Sequence, residues 1–274
     1  MSVITGCGLH TGSLSSVRFL LHDGPVVVRA AGIDVAVSDL RVVDTSRSTT
    51  VADASGRVRI ATIEHVFAAL GGLGIHAGVA VLIDGPEPPL ADGAARLYAD
   101  ALCALSPSLR STPPTLRIVR DGVIELGASR YELHVAAFGA SDAVEVEVAV
   151  DFDDARIARE ARWAGDPEDF RTRIATARTF GFEHEVGELI ARGLASHVTP
   201  ESVVVFGKDR VLAAGAPVAA DEPARHKLLD LVGDLYLHGG PARGRLRATR
   251  PGHAATHEVM RRALVEGLIA RDAR

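Results

Sequence analysis

Up to Ile60 the chain alternates short apolar runs with turn residues, and at Ala61 the pattern changes to a helical period. Val17 to Leu21 and Val26 to Arg29, separated by Asp23-Gly24-Pro25, predict a hairpin; Ile33 to Val37 and short strands at Thr49–Val51 and Arg57–Ile60 follow. Ahead of them, Gly6 to Gly12 forms a glycine-rich turn. Ile63, Val66, Phe67, Ala69 and Leu70 define a helix over Ala61 to Leu70, with Gly71-Gly72 as its C-terminal stop. Val79 to Ile83 is a buried strand and Ala94 to Ala104 a helix. Past a Ser/Pro-rich linker at Ser106–Pro114, strands resume at Val123–Leu126, Tyr131–Ala136 and Val144–Val150, the last alternating cleanly with one polar face. Asp166-Pro167-Glu168 has helix-start chemistry and opens a helix to about Thr176. A β-α-β flap is predicted at about 180–206, with its helix through Leu189 to Arg192 and its second strand at Ser202–Phe206. A helix then begins near His226, a strand covers Arg245–Thr249, and a last helix follows Pro251-Gly252-His253. The layout repeats without a sequence repeat. It predicts an α+β protein of two similar domains, 1–110 and 115–274, each a mainly antiparallel sheet with two helices.

The helix after Arg225 carries the strongest chemical pattern. At ~100° per residue, His226, Asp230 and Asp234 fall within about 80° of one another, with Lys227 on the border. Leu228, Leu231, Val232, Leu235 and Tyr236 fill the opposite arc. An imidazole and a carboxylate four residues apart can point at one ion, and a solvated surface helix would show the same pattern. Glu64 and His65, inside an otherwise apolar helix, must face solvent, a cleft or a partner, because a buried unpaired carboxylate is costly.

Composition narrows the classes. A chain of 274 residues is long enough for two medium domains, and a net charge of −5 without a basic run argues against a nucleic-acid partner. Cys7 and Cys103 are too few for a disulfide framework or a thiolate metal site. No apolar stretch approaches the ~20 residues of a membrane span, and the N-terminus lacks a signal-peptide pattern, so a soluble, cytoplasmic protein is expected. Lys208 and Lys227 are the only lysines, which makes the one beside His226 notable.

His65, His226 and Asp230 together form a two-histidine, one-carboxylate set suited to a zinc ion with a fourth position for water, and iron(II) fits the same donors. Glu64, adjacent to a ligand, could then take a proton from the attacking water. A protonated His253, oriented by Asp234, could protonate a departing nitrogen, and the Thr179 hydroxyl could stabilise an oxyanion.

Gly8-Leu9-His10-Thr11-Gly12, Thr62-Ile63-Glu64-His65, Asp92-Gly93, Ala177 to Phe182, Arg225 to Asp234 and Gly252-His253 occur in an order that resembles the UDP-3-O-acyl-N-acetylglucosamine deacetylases of lipid A synthesis. The resemblance spans nearly the whole chain. It implies two α+β domains with their helices packed together between outer sheets, and a zinc-dependent cytoplasmic deacetylase with a small-molecule nucleotide-sugar substrate. It maps the metal ligands onto His65, His226 and Asp230, the base onto Glu64, the oxyanion contact onto Thr179 and the acid onto His253 with Asp234 in support. Lys227 matches a substrate-binding position, Phe180 resembles a residue lining the acyl passage, His10 one near the sugar or diphosphate, and Gly252 joins the substrate contacts. Three features depart from the family pattern. Asp153-Asp154-Ala155 stands where a His-Pro is usual near the diphosphate, leaving Arg156 or Arg130 to compensate; Glu183 replaces an apolar residue, implying a more polar acyl passage; Ser196 to Pro200 replaces a glycine-rich turn. Two alternatives stay open: deacetylation of another N-acetylated amino sugar, and a catalytically silent metal-binding protein on the same fold.

Overall fold

A computed structural model describes residues 2–105, 114–137, 139, 142–185 and 203–272. The apolar run Val79–Ile83 is buried along its length, and strand β8 (Ala77–Asp84) accordingly lies at the centre of a five-stranded sheet. Its neighbours are β2 (Leu14–Pro25), antiparallel, and β3 (Val27–Ala30), parallel; β1 (Ile4–Cys7) and β4 (Ile33–Ala36) form the edges. The predicted hairpin between Val17–Leu21 and Val26–Arg29 is therefore not formed, because β8 inserts between its two arms. The first arm extends to Pro25, and β3 pairs with β4 instead.

The second half builds the same sheet again. Strands β10 (Gly122–Leu126), β11 (Ser129–His134), β17 (Gly244–Thr249), β12 (Val144–Ala149) and β13 (Glu160–Trp163) lie in that order, with β17 antiparallel to β11 and parallel to β12. The alternation in β12 buries Val146 and Val148, while Glu145 and Glu147 meet Arg162 and Arg245 on the outer face. In both halves one helix precedes the central strand and another follows it. These are α1 (Glu64–Gly72) and α2 (Arg96–Leu105) around β8, and α4 (Glu222–Tyr236) and α5 (His253–Val265) around β17. Helix α1 packs along α4, and the helices form one core between the two sheets.

Smaller pieces complete the frame. Strands β5 (Arg41–Asp44), β6 (Thr50–Ala52) and β7 (Arg59–Ile60) form a short sheet, and β9 (Leu116–Ile118) pairs with β18 (Ile269–Arg271), joining the start of the second half to its end. Strands β14 (Phe180–Phe182), β15 (Val204–Phe206) and β16 (Val211–Leu212) make the base of the expected flap, with β14 and β15 parallel. The flap helix at Leu189–Arg192, the turn at Ser196–Pro200 and all of the linker except Pro114 lie outside the described residues. Asp166 caps α3 (Pro167–Asp169) by accepting the Glu168 N–H, and the chain continues as a π-helix over Phe170–Ile174.

Two helix readings need correction. Helix α1 runs through Gly71 and Gly72 rather than stopping there, because a Cβ at Gly72 would meet the Phe170 ring at 2.2 Å and one at Gly71 would crowd Tyr236 and Val232. The stop comes at Leu73-Gly74, with Gly74 at φ 66°. Helix α4 is not solvated on its polar face: Asp234 is 1 % exposed and His226 4 %. Its polar residues are buried against α1 and must be satisfied there.

Candidate metal and catalytic site

The first turn of α1 brings Glu64 and His65 against α4, where Gly233 allows the Glu64 backbone to approach closely. His65 Nε2 lies 3.7 Å and His226 Nε2 3.4 Å from Asp230 Oδ1, and one donor atom from each residue falls within 4.8 Å of the others. His226 Nδ1–H donates to the Ala177 carbonyl at 3.1 Å, which leaves Nε2 as the free lone pair facing the cluster. Burial, then the neighbouring His226, pushes His65 down to about 3, and burial lowers His226 as well. Both rings are therefore neutral at ordinary pH. Burial alone would raise Asp230, yet Lys227 and the surrounding histidines hold it below the usual carboxylate range. Two neutral imidazoles and an anionic carboxylate, buried and convergent, are donors that fit a borderline divalent cation such as zinc.

Beside this cluster, Glu64 Oε1 faces His253 Nε2 at 3.8 Å, while Glu64 Oε2 accepts the Thr49 N–H at 3.0 Å. His253 Nδ1–H donates to Asp234 Oδ2 at 2.8 Å. Burial works against the imidazolium, but Asp234 and Glu64 outweigh it and raise His253 to about 9. Burial raises Glu64 to about 8, an effect that His253 opposes and that Asp230 and Asp234 reinforce. A carboxyl and an imidazole with shifted proton affinities thus oppose each other across one opening, an arrangement suited to moving protons in both directions.

That opening is a cleft of about 860 Å³ lined by His10, Thr179, Phe180, Lys227 and Gly252 as well as Glu64, His65, His226, Asp230 and His253. The Lys227 ammonium donates to Asp230 Oδ2 at 2.8 Å; burial would lower it, but Asp230, Asp234 and Glu64 raise it above its ordinary value. The Thr179 hydroxyl donates to the Gly93 carbonyl at 2.9 Å, so turning it toward a bound molecule means giving up that bond. Both ring nitrogens of His10 are buried with no hydrogen-bond partner among the described residues, and burial lowers its proton affinity. Glu87, fully buried, holds the glycine-rich turn by accepting the His10 and Thr11 N–H groups and the Thr62 hydroxyl. Phe180 meets Phe152 edge-on at 5.3 Å and the His226 ring at 5.9 Å. Gly252 is the N-cap of α5, directly before His253.

The family model described as UDP-3-O-acyl N-acetylglycosamine deacetylase matches residues 1–265. The chain belongs to this family. It is 36 % identical to the UDP-3-O-acyl-N-acetylglucosamine deacetylase of Phenylobacterium zucineum, covering 98 % of this chain and 91 % of that protein. The proteins of the same name from Anaeromyxobacter sp. and Myxococcus xanthus are 34 % and 32 % identical, over 96 % and 95 % of this chain and 86 % and 83 % of theirs.

Against the family pattern, the departures fall differently from expectation. Arg156 is committed to Asp154 and the Gly207 carbonyl, 5.6 Å from the Phe206 ring centre, and Arg130 pairs with Glu125 and Glu132. Neither lines the cleft; Arg47 and Arg250 do, paired with Glu185 and Asp151. Glu183 does not line the cleft either, since its carboxylate lies against Gly207, and the cleft wall described in this region is aromatic, with Phe152, Phe180 and Phe182. Residue patterns alone did not single out Thr49, His257 or His238. Thr49 Oγ1 lies 2.6 Å from Asp234 Oδ1 and 3.1 Å from His257 Nε2, and His257 Nδ1 is 3.0 Å from His238 Nε2. The four-residue spacing of His253 and His257 was the one available signal.

Proposed function

We propose that the chain is a metal-dependent deacetylase that hydrolyses the N-acetyl group of UDP-3-O-acyl-N-acetylglucosamine in lipid A biosynthesis, with zinc, or iron(II), held by His65, His226 and Asp230. The observation that carries the reading is the placement of Glu64 and His253 3.8 Å apart beside the three convergent donors, in one cleft. A divalent ion bound there supplies Lewis acidity toward the amide carbonyl and toward water. Its positive charge also favours the Glu64 carboxylate over the carboxylic acid.

Glu64 takes a proton as the water oxygen bonds to the acetyl carbon. The Thr179 hydroxyl, rotated away from Gly93, donates to the carbonyl oxygen as negative charge develops there. His253, held by Asp234, gives its Nε2 proton to the nitrogen as the carbon–nitrogen bond breaks, so the products are acetate and a free amine. Lys227 keeps a fixed positive charge at the cleft wall through Asp230. The aromatic wall suits an acyl chain, His10 and Gly252 line the same cleft and are available to the sugar, and Arg47 and Arg250 offer cations to a diphosphate.

The names of the relatives support the same substrate. Among the described residues no helix is long and apolar enough to cross a membrane, and Cys7 and Cys103 are free thiols, both in keeping with a cytoplasmic enzyme. A second reading, deacetylation of another N-acetylated amino sugar, is favoured by one observation: Glu185 and Asp151 already engage the two cleft arginines and would compete with a diphosphate.

Acetate release from the UDP-linked, acylated sugar, run beside the same sugar without its acyl chain, separates the readings. The metal-reconstituted protein is expected to turn over the acylated substrate far faster, and chelator is expected to abolish turnover until metal is returned. Equal rates on both sugars would favour the second reading, and no acetate release with metal bound would defeat both.

A further inference from the structure

Behind His253 runs a chain of hydrogen bonds whose direction can be worked out. Asp234 is anionic and only accepts, so Thr49 must spend its single proton on Asp234 Oδ1 at 2.6 Å. The Thr49 oxygen then has only lone pairs to offer the nearby ring nitrogen of His257 at 3.1 Å, and His257 Nε2 must carry a proton. His257 Nε2 also sits 3.4 Å from Asp234 Oδ1, the same carboxylate oxygen. At its other ring nitrogen, Nδ1, His257 meets His238 Nε2 at 3.0 Å. Donors thus run one way from His257 on α5 through Thr49, on the loop before β6, to Asp234 in the core, with half-buried His238 beyond the end of α4 as the outer partner of His257.

We propose that His257 is a positioning residue for the deacetylase site: by donating to the Thr49 hydroxyl it holds Asp234, and through Asp234 it holds the His253 ring. Thr49 Oγ1 also lies 3.3 Å from His253 Nδ1. With His257 gone, nothing on that side fixes the Thr49 hydroxyl, so Thr49 Oγ1 can shift toward His253 Nδ1 and compete with Asp234 for its proton, and the ring gains a second orientation. His257 itself does not line the cleft, and among the described residues its side-chain polar contacts are with Thr49, Asp234 and His238. Its effect is therefore indirect.

This inference rests on the deacetylase reading for its kinetic arm and on geometry alone for its spectroscopic arm. In His257→Phe the ring volume stays and the donor goes; in His257→Gln the amide nitrogen can occupy the place of Nε2. With acetate release as the assay, the Phe variant is expected to lose about tenfold in kcat with KM and bound metal unchanged, and the Gln variant to recover most of that loss. In proton NMR of the metal-loaded protein, the low-field Nδ1–H signal of His253, identified by its loss in His253→Gln, is expected to broaden in the Phe variant and persist in the Gln variant. Wild-type kcat and an unchanged signal in the Phe variant would overturn the proposal, and equal losses in both variants would overturn it in favour of simple packing. If no protein in the series, wild type included, releases acetate, the functional reading fails while the NMR signal still decides the role of His257.

Discussion

Glu64 and His253 face each other with proton affinities both raised well above their ordinary values. Glu64, pushed to about 8 mainly by burial, sits beside His65 of the candidate metal cluster, and His253, raised to about 9 against burial by Asp234, sits across from it. Replacing the base without touching the donors isolates its role. Glu64→Ala is expected to lose at least about 100-fold in kcat while metal content, measured by plasma emission on the dialysed protein, stays at the wild-type level. A parallel loss of metal would mean that Glu64 belongs to the ion's coordination rather than to proton transfer. Residues on one helix turn were legible from spacing alone, because His226, Asp230 and Asp234 share a face whatever the tertiary fold does. Thr49 was not, since its contacts with Asp234 and His257 span 185 and 208 positions and depend on a loop from the opposite half. A threonine on a loop at the edge of a short strand carries no mark of such a partner.

At the scale of elements, periodicity identified the strands and helices but not which strands pair. The turn at Asp23-Gly24-Pro25 has hairpin chemistry, yet the flanking arms receive β8 between them, a pairing decided by the helices that must be covered rather than by the turn. Helix faces were equally ambiguous. The polar stripe of α4 reads as solvated until α1 is laid against it, and the residue that permits this contact is Gly233. A Cβ there would lie 2.1 Å from the Glu64 carbonyl oxygen and 2.8 Å from its carbon, both backbone atoms that cannot swing aside. Gly233→Ala is therefore expected to separate α1 from α4, costing about 1–3 kcal/mol of stability by overpacking. The separation carries His65 away from His226 and Asp230, so metal affinity by isothermal titration should fall with it. Gly72→Ala, which collides with the Phe170 ring instead, should lower the melting temperature with a smaller effect on metal binding. Equal metal affinities in Gly233→Ala and wild type would show that the ligands do not depend on this helix contact.

In the whole molecule, the two repeated sheets enclose a helical layer that buries several histidines, and this determines how stability responds to pH. His76, between α1 and β8, stacks on Tyr236 of α4 with ring centres 5.2 Å apart, and Tyr236 O–H donates to the Ile75 carbonyl at 2.7 Å, so the ring belongs to the contact between halves. Burial lowers His76 from 6.5 to about 4, and burial with His257 does the same to His238. Between those values the unfolded chain binds protons that the folded chain refuses. Folding is therefore disfavoured as pH drops below about 6.5, by about 2 kcal/mol at pH 5 for each such histidine. His253 has the opposite dependence: its pairing with Asp234 contributes in full below 6.5 and is lost as pH rises through about 9. Asp234, held below its ordinary value, keeps its contribution until the pH falls under about 3.8, outside this range. Glu64, raised to about 8, costs stability as pH climbs from about 4.5, while His65, lowered to about 3, adds to the loss below 6.5. Thermal melts of the chelator-treated protein should therefore fall toward pH 5, where the three histidines outweigh Glu64, and toward pH 9, where His253 and Glu64 act together. His76→Phe keeps the stacked ring and removes one titrating group, so its acid limb should be shallower than that of wild type while its alkaline limb is unchanged. Parallel acid limbs in the two proteins would mean that His76 takes up its proton without unfolding, and that the contact between the halves opens locally to admit it.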